Sequence, residues 1–222
     1  MWHFETAGSG KGQEMEFGDI SWLVLDESID GGRKLLLAKW STYADWLPED
    51  MDERWSRGGD FSWETSGARE YLNGRFLDEH FSAQERSQVV EVQLDNKGNP
   101  FGDDHECSAT VDKVFLLSLE EAVKYFADSP GAEELAIVEG NTFYTRTPFD
   151  HKAPCSPIRF DSDSQWGEWA GEFDFEDEGS DRSDEIEAAF PGISGLAMNT
   201  MSAWVDVSEG DIAVRPALWV SC

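Results

Sequence analysis

Val214-Arg215-Pro216-Ala217-Leu218-Trp219 is the stretch on which the fold turns. It lies inside the run Ile212 to Val220, whose β-branched and aromatic content reads as a last strand carrying Trp219 toward the core. Near the other end of the chain, Ile20 to Leu25 and Lys34 to Trp40 flank the turn residues Asp30-Gly31-Gly32, the pattern of a β-hairpin. The expectation is that the last strand closes onto this early hairpin. One body would result, with irregular excursions projecting from it.

Working outward, Met1 to Glu14 is Gly-rich and unpatterned, so residues 1–15 read as a flexible leader and 16–222 as a single domain. Tyr43 to Phe61 is a loop longer than connectors usually are, with Trp46, Trp55 and Pro48 in it. Thr65 or Ser66 can cap a helix over Ala68 to Phe81, where Tyr71, Leu72, Phe76 and Phe81 supply the apolar stripe. Ser82-Ala83-Gln84-Glu85 and Ser118-Leu119-Glu120-Glu121 each place a hydroxyl three residues ahead of a carboxylate, so each can satisfy two orphan backbone donors at a helix start. Val89 to Leu94, Val111 to Leu117, Phe143 to Thr147 and Pro157 to Phe160 read as strands, and Asp95 to Thr110 as a polar loop. Asp161 to Glu187 holds twelve acidic residues and one base, Arg182, and reads as a solvated acidic loop or insertion near 161–190. The fold class is α+β with mainly antiparallel strands, two or three helices in the first half and long irregular loops in the second.

The chain has 222 residues, 17 Lys and Arg against 46 Asp and Glu, and a formal net charge of −29. Such a surface repels polyanions, so no nucleic acid is expected as a partner. A hydrophobic content of 40% separates it from wholly disordered acidic tails. Leu35 to Ala38 and Leu135 to Val138 are its longest aliphatic runs, far below the ~20 residues that cross a bilayer, so no membrane span is expected. No secretory signal opens the sequence, and the three cysteines, Cys107, Cys155 and Cys222, read as reduced thiols of a cytoplasmic protein. A surface or secreted location would need a signal outside this sequence, and a Cys107 to Cys155 bridge would suit that setting.

Five strings in this order resemble a known family. They are Trp63-Glu64-Thr65-Ser66 with Ala68-Arg69-Glu70-Tyr71-Leu72-Asn73, then Phe81-Ser82-Ala83-Gln84-Glu85, then Asp112-Lys113-Val114-Phe115-Leu116-Leu117-Ser118, and finally Val214-Arg215-Pro216-Ala217-Leu218-Trp219. The set resembles an uncharacterised bacterial domain family whose members end in VRPALW, similar in fold to C-type lectins and to formylglycine-generating-enzyme-like domains. The resemblance covers about Phe17 to Cys222. Where such members carry Trp-Trp-Leu-Arg-Ser-Pro, this chain has Phe143-Tyr144-Thr145-Arg146-Thr147-Pro148, so Arg146 and Pro148 match and the tryptophans do not. The resemblance implies a C-type-lectin-like mixed domain whose loops carry binding. It supplies no activity, because one fold hosts many functions.

Trp46, Trp55, Trp166 and Trp204 are the candidate ligand surface, with Tyr144 and Arg146 beside them, because flat aromatic faces give large contact area at small entropy cost. Arg215, Trp219 and Trp63 read as structural. Arg146 has the same structural alternative, since a buried guanidinium is normally fixed to carbonyls or a carboxylate. Asp174, Glu176, Glu178 and Glu185 follow EF-hand spacing loosely, with Glu where shorter side chains are wanted, and calcium is the cation such a cluster would take. His105, Cys107, His151 and Cys155 match no common zinc spacing, and zinc is not expected. No nucleophile elbow, phosphate loop or catalytic Cys-His string occurs, and only Cys222 lies where formylglycine-generating relatives use a cysteine pair.

These readings favour a non-enzymatic ligand-binding or protein-interaction domain whose partner is a protein, a peptide or a small ligand, uncharged, basic or carrying a cation. A metal-assisted or formylglycine-generating-like enzyme is the alternative. A nucleic-acid mimic is a third reading, set back by the concentration of carboxylates in one segment.

Overall fold

Strands β1 (Glu14–Phe17), β2 (Ile20–Glu27) and β3 (Arg33–Ala38) run as an antiparallel meander, and β10 (Ala217–Ser221) pairs with β3 along its whole length. This computed structural model describes residues 13–28, 32–39, 62–98, 107–126, 142–147, 157–159 and 214–222. The last strand does close onto the early hairpin. Its other flank takes two short partners: β7 (Val114–Phe115) opposite Leu218 and Ala217, and β4 (Val89–Val90) opposite Val220 and Trp219. The sheet therefore has six strands, ordered β1-β2-β3-β10 and then β4, with β7 also on β10.

Consecutive residues of β2, β3 and β10 are buried, among them Leu23 and Val24, Leu35 to Ala38, and Ala217 and Leu218. A strand covered on one face only would alternate, so both faces of these strands are covered. Trp22, Leu36, Leu37 and Leu218 are fully shielded from solvent, and the indole of Trp22 donates to the Phe17 carbonyl at 2.8 Å. Trp219 is less deep, partly buried against the core. Glu14 and Met15, which the sequence assigns to the leader, already pair with Leu23 and Trp22. Leu25 is an extra residue between the paired Val24 and Asp26, a bulge of the kind that re-aims a side chain.

A 3-10 turn, Trp63–Thr65, leads into α1 (Gly67–Asn73), which Ser66 caps by accepting from the Arg69 amide at 3.2 Å. The single helix expected over Ala68 to Phe81 is broken at Gly74. There the amide turns back to the Tyr71 carbonyl, and a second helix, α2 (Arg75–His80), begins. Phe76 of α2 packs edge-on against Phe81, which meets Phe17 and Trp22 at tilted angles, with ring centroids 5.3 to 6.2 Å apart. Gly18 joins β1 to β2 at φ 68°, and a Cβ there would sit 2.4 Å from the His80 carbonyl oxygen. Both capping boxes form as the sequence suggests: Ser82 with Glu85 at α3 (Ala83–Arg86), and Ser118 with Glu121 at α4 (Leu119–Phe126).

Two expected strands are split. Val89 to Leu94 divides at Glu91 into β4 and β5 (Val92–Leu94), because the first piece pairs with β10 and the second with β6 (Thr110–Asp112) in a sheet of their own. Val111 to Leu117 divides at Lys113, where the side-chain carbonyl of Asn73 captures the amides of Lys113 and Val114 at 2.7 and 3.1 Å. Val111, on the exposed side of β6, is 59% exposed. β8 (Thr142–Tyr144) and β9 (Pro157–Arg159) form a third, two-stranded sheet. The mixed α+β class with antiparallel pairing holds throughout the described residues.

Candidate functional site

Asp112 ends β6 with its carboxylate 1% exposed, and donors from three other positions converge on it. The Trp63 indole reaches Oδ2 at 3.0 Å, the Thr110 hydroxyl reaches the same oxygen at 2.7 Å, and Arg69 Nε reaches Oδ1 at 2.7 Å. A buried charge persists only when paired and hydrogen-bonded, and here one cation and two neutral donors meet that demand. The cap at Ser66 begins α1 where the fourth residue of the turn, Arg69, faces β6. Local sequence thus sets the geometry.

The hydrogen-bond chain continues away from Asp112. The Asn96 amide donates to Thr110 Oγ1 at 3.1 Å and to the Ser108 carbonyl at 2.8 Å, while its oxygen accepts from Arg146 Nε at 3.1 Å. Arg146, 3% exposed, also donates to the Leu116 carbonyl at 2.9 Å and to both oxygens of Glu121, the Nη2 contact being 3.2 Å. Its guanidinium lies 5.7 Å from the Phe115 ring centroid. Six side chains, Arg69, Asp112, Thr110, Asn96, Arg146 and Glu121, form one polar spine through the body. Its two cations and two anions balance, as a low-dielectric interior requires.

A second buried arginine is handled separately. Arg215 is 1% exposed and its Nε donates to the Ala38 carbonyl at 3.1 Å, just ahead of the β3–β10 ladder. Burial pulls its pKa down to about 9, which still leaves it charged at neutral pH. At the far end of α4, Tyr125 Oη donates to Asp26 Oδ2 at 3.0 Å, and Lys124 reaches the same oxygen at 3.3 Å. Asp26 lies directly after the register shift that follows Val24. Burial, and then the Asp26 carboxylate, push the Tyr125 phenol well above the ordinary tyrosine range.

Of the sequence-derived candidates, Trp46, Trp55, Trp166 and Trp204 lie outside the described residues, as do Asp174, Glu176, Glu178 and Glu185. His105, His151 and Cys155 of the zinc candidate are also outside them, while Cys107 is a half-buried thiol. Tyr144 stands on β8 opposite Pro157. Arg146 is not placed at an exposed ligand surface: its three guanidinium nitrogens all donate inward, which is the structural use of arginine. Trp63 and Arg215 are interior and Trp219 packs against the core. Thr110 and Asn96 belong to the site without standing out in the sequence, whereas Asp112 opens one of the five strings and Glu121 closes a capping box, neither of which signals a polar network. Among the described residues no group of three or more His, Cys, Asp or Glu could hold a metal ion, and no helix is long and apolar enough to cross a membrane.

Fold and spine together define an α+β domain whose motif strings meet inside one body. A family model with the description Domain of unknown function (DUF6273) matches residues 21–222, and the chain belongs to that family. Neither the curated proteins nor the solved structures give a match.

Proposed function

We propose that the chain is a non-enzymatic binding or protein-interaction domain of C-type-lectin-like architecture. In this reading the described body is the scaffold, and Trp46, Trp55, Trp166 and Trp204, with Tyr144, contact the partner. The observation that carries it is the use of the motif side chains. Trp63, Arg69, Asn73, Asp112, Ser118 and Arg146 take one another or nearby backbone as partners. Residues that define the resemblance therefore account for the scaffold, and specificity falls to the segments between them.

Charge supports the same division. The described residues carry fifteen Asp and Glu against twelve Lys and Arg, so almost all of the −29 resides in the remaining segments. A partner that approaches those segments is uncharged, basic or carries a cation, and the on-rate of a basic partner is salt-sensitive.

The test is capture by the immobilised protein of a basic peptide pool, a panel of neutral oligosaccharides and duplex DNA, at low and high salt. Retention of peptide or sugar, weakened at least tenfold by Trp46→Ala or Trp166→Ala with an unchanged unfolding midpoint, is the expected result. Retention of DNA alone would overturn the reading.

A further inference from the structure

Residues 145–147 come directly after β8, yet they leave the strand and are buried in the body, with Thr145, Arg146 and Thr147 all under 5% exposed. The attachments of this strap are polar. The Arg146 amide donates to the Leu117 carbonyl at 2.9 Å, the Leu119 amide donates to Thr147 Oγ1 at 2.9 Å, and the guanidinium holds the Leu116 carbonyl, Asn96 and Glu121. The carbonyls belong to Leu116 and Leu117, the two residues that follow β7, and the Leu119 amide is one that α4 leaves without an intrahelical acceptor. The strap thus fits a socket formed by a strand end and a helix start.

The β8–β9 hairpin is a sheet of its own, with β8 and β9 as each other's strand partners among the described residues. A two-stranded hairpin by itself is marginal in water, so the contacts that dock it contribute to its order. β10 is held differently, by ladders on both flanks and by fully buried Leu218. Exchanging polar contacts for water costs little net free energy, whereas exposing apolar strands costs in proportion to area. Glu121 is 32% exposed beside Arg146 at 3%, so solvent reaches the clasp from the carboxylate side.

From this geometry we infer that residues 145–147 are a polar latch: Arg146 positions the β8–β9 hairpin, and opening the Arg146–Glu121 clasp releases the hairpin while the six-stranded sheet stays folded. The latch bears on the proposed function because Tyr144 lies on that hairpin, but it holds or fails whatever the ligand proves to be.

Hydrogen exchange measured by mass spectrometry on the full chain tests it. Glu121→Gln is the mild variant, since glutamine keeps an oxygen for the Ser118 amide of the capping box while losing the charge that holds Arg146. The expected result is a rise in exchange on the order of tenfold at 142–147 and 157–159, with the amides of β2, β3 and β10 at wild-type rates. Unchanged exchange in the strap, or an equal rise in the sheet, would overturn the latch. Should the variant not fold, the wild-type chain in increasing guanidinium gives the same decision. The strap and hairpin must lose protection at lower denaturant than β10, and simultaneous loss would refute a separable unit.

Discussion

Leu218 of the last strand pairs with Leu36 of the early hairpin, and both side chains are completely buried. On its other side Leu218 faces Val114, so one residue ties three strands that are distant in sequence. Leu218→Ala removes apolar contact from the centre of the sheet, where collapse around the cavity is limited. A loss of about 3 kcal/mol is expected, read as a lower denaturation midpoint at unchanged slope.

Asp112→Asn keeps the shape of the side chain and reverses half of its hydrogen bonding. Trp63 and Arg69 approach opposite oxygens, so whichever way the new amide turns, its NH2 meets a donor. Destabilisation of about 3 kcal/mol is expected from the uncompensated arginine and the lost acceptor. Trp63→Phe should cost less than full truncation of the indole, and a double-mutant cycle between the two positions should show coupling. Additivity would mean that the indole does not depend on the carboxylate.

Gly18 holds the β1–β2 turn at φ 68°, with the backbone of His80 and the Phe81 ring against it. Gly18→Ala adds left-handed backbone strain and drives a methyl into a carbonyl that cannot swing away. Roughly 2 kcal/mol of stability should be lost in thermal or denaturant unfolding. Equal stability of the variant would show that the turn relaxes.

Tyr71 and Tyr125 both hold their protons above the ordinary value of 10.0, first because burial disfavours the phenolate and then because Glu79 and Asp26 lie beside them. Each is an acid whose folded-state pKa is raised. Above pH 10 the unfolded chain releases protons that the native chain keeps, so stability falls as pH rises through that window, and these two groups add no pH dependence below it. Phenolate absorbance during alkaline titration should show at least two of the four tyrosines ionising together with the unfolding transition. Smooth ionisation of all four ahead of unfolding would contradict the assignment.

Closure of the sheet is legible in the sequence because apolar runs, a Gly-Gly turn and two hydroxyl-carboxylate pairs are local signals. Where the elements break is not. Gly74 sits inside a helix-compatible stripe, and only the backbone shows that the stripe is two helices. The interruption at Lys113 comes from Asn73, a partner forty residues away that no periodicity reveals. Arg146 illustrates the same limit from the other side: its residue type suits an anion, but burial and four acceptor oxygens commit it to the interior. Polar spines are built from long-range pairs, so patterning in one stretch cannot announce them.

The placement of β10 between β3 and its two short partners has a consequence for biosynthesis. Every earlier strand of the sheet leaves the ribosome before the one that must lie in its middle. Until Ala217 to Ser221 emerge, β3 presents an open hydrophobic edge to solvent or to a chaperone, the kind of edge that invites misassociation between nascent chains. A premature stop just ahead of these residues would therefore yield insoluble product instead of a slightly shortened domain.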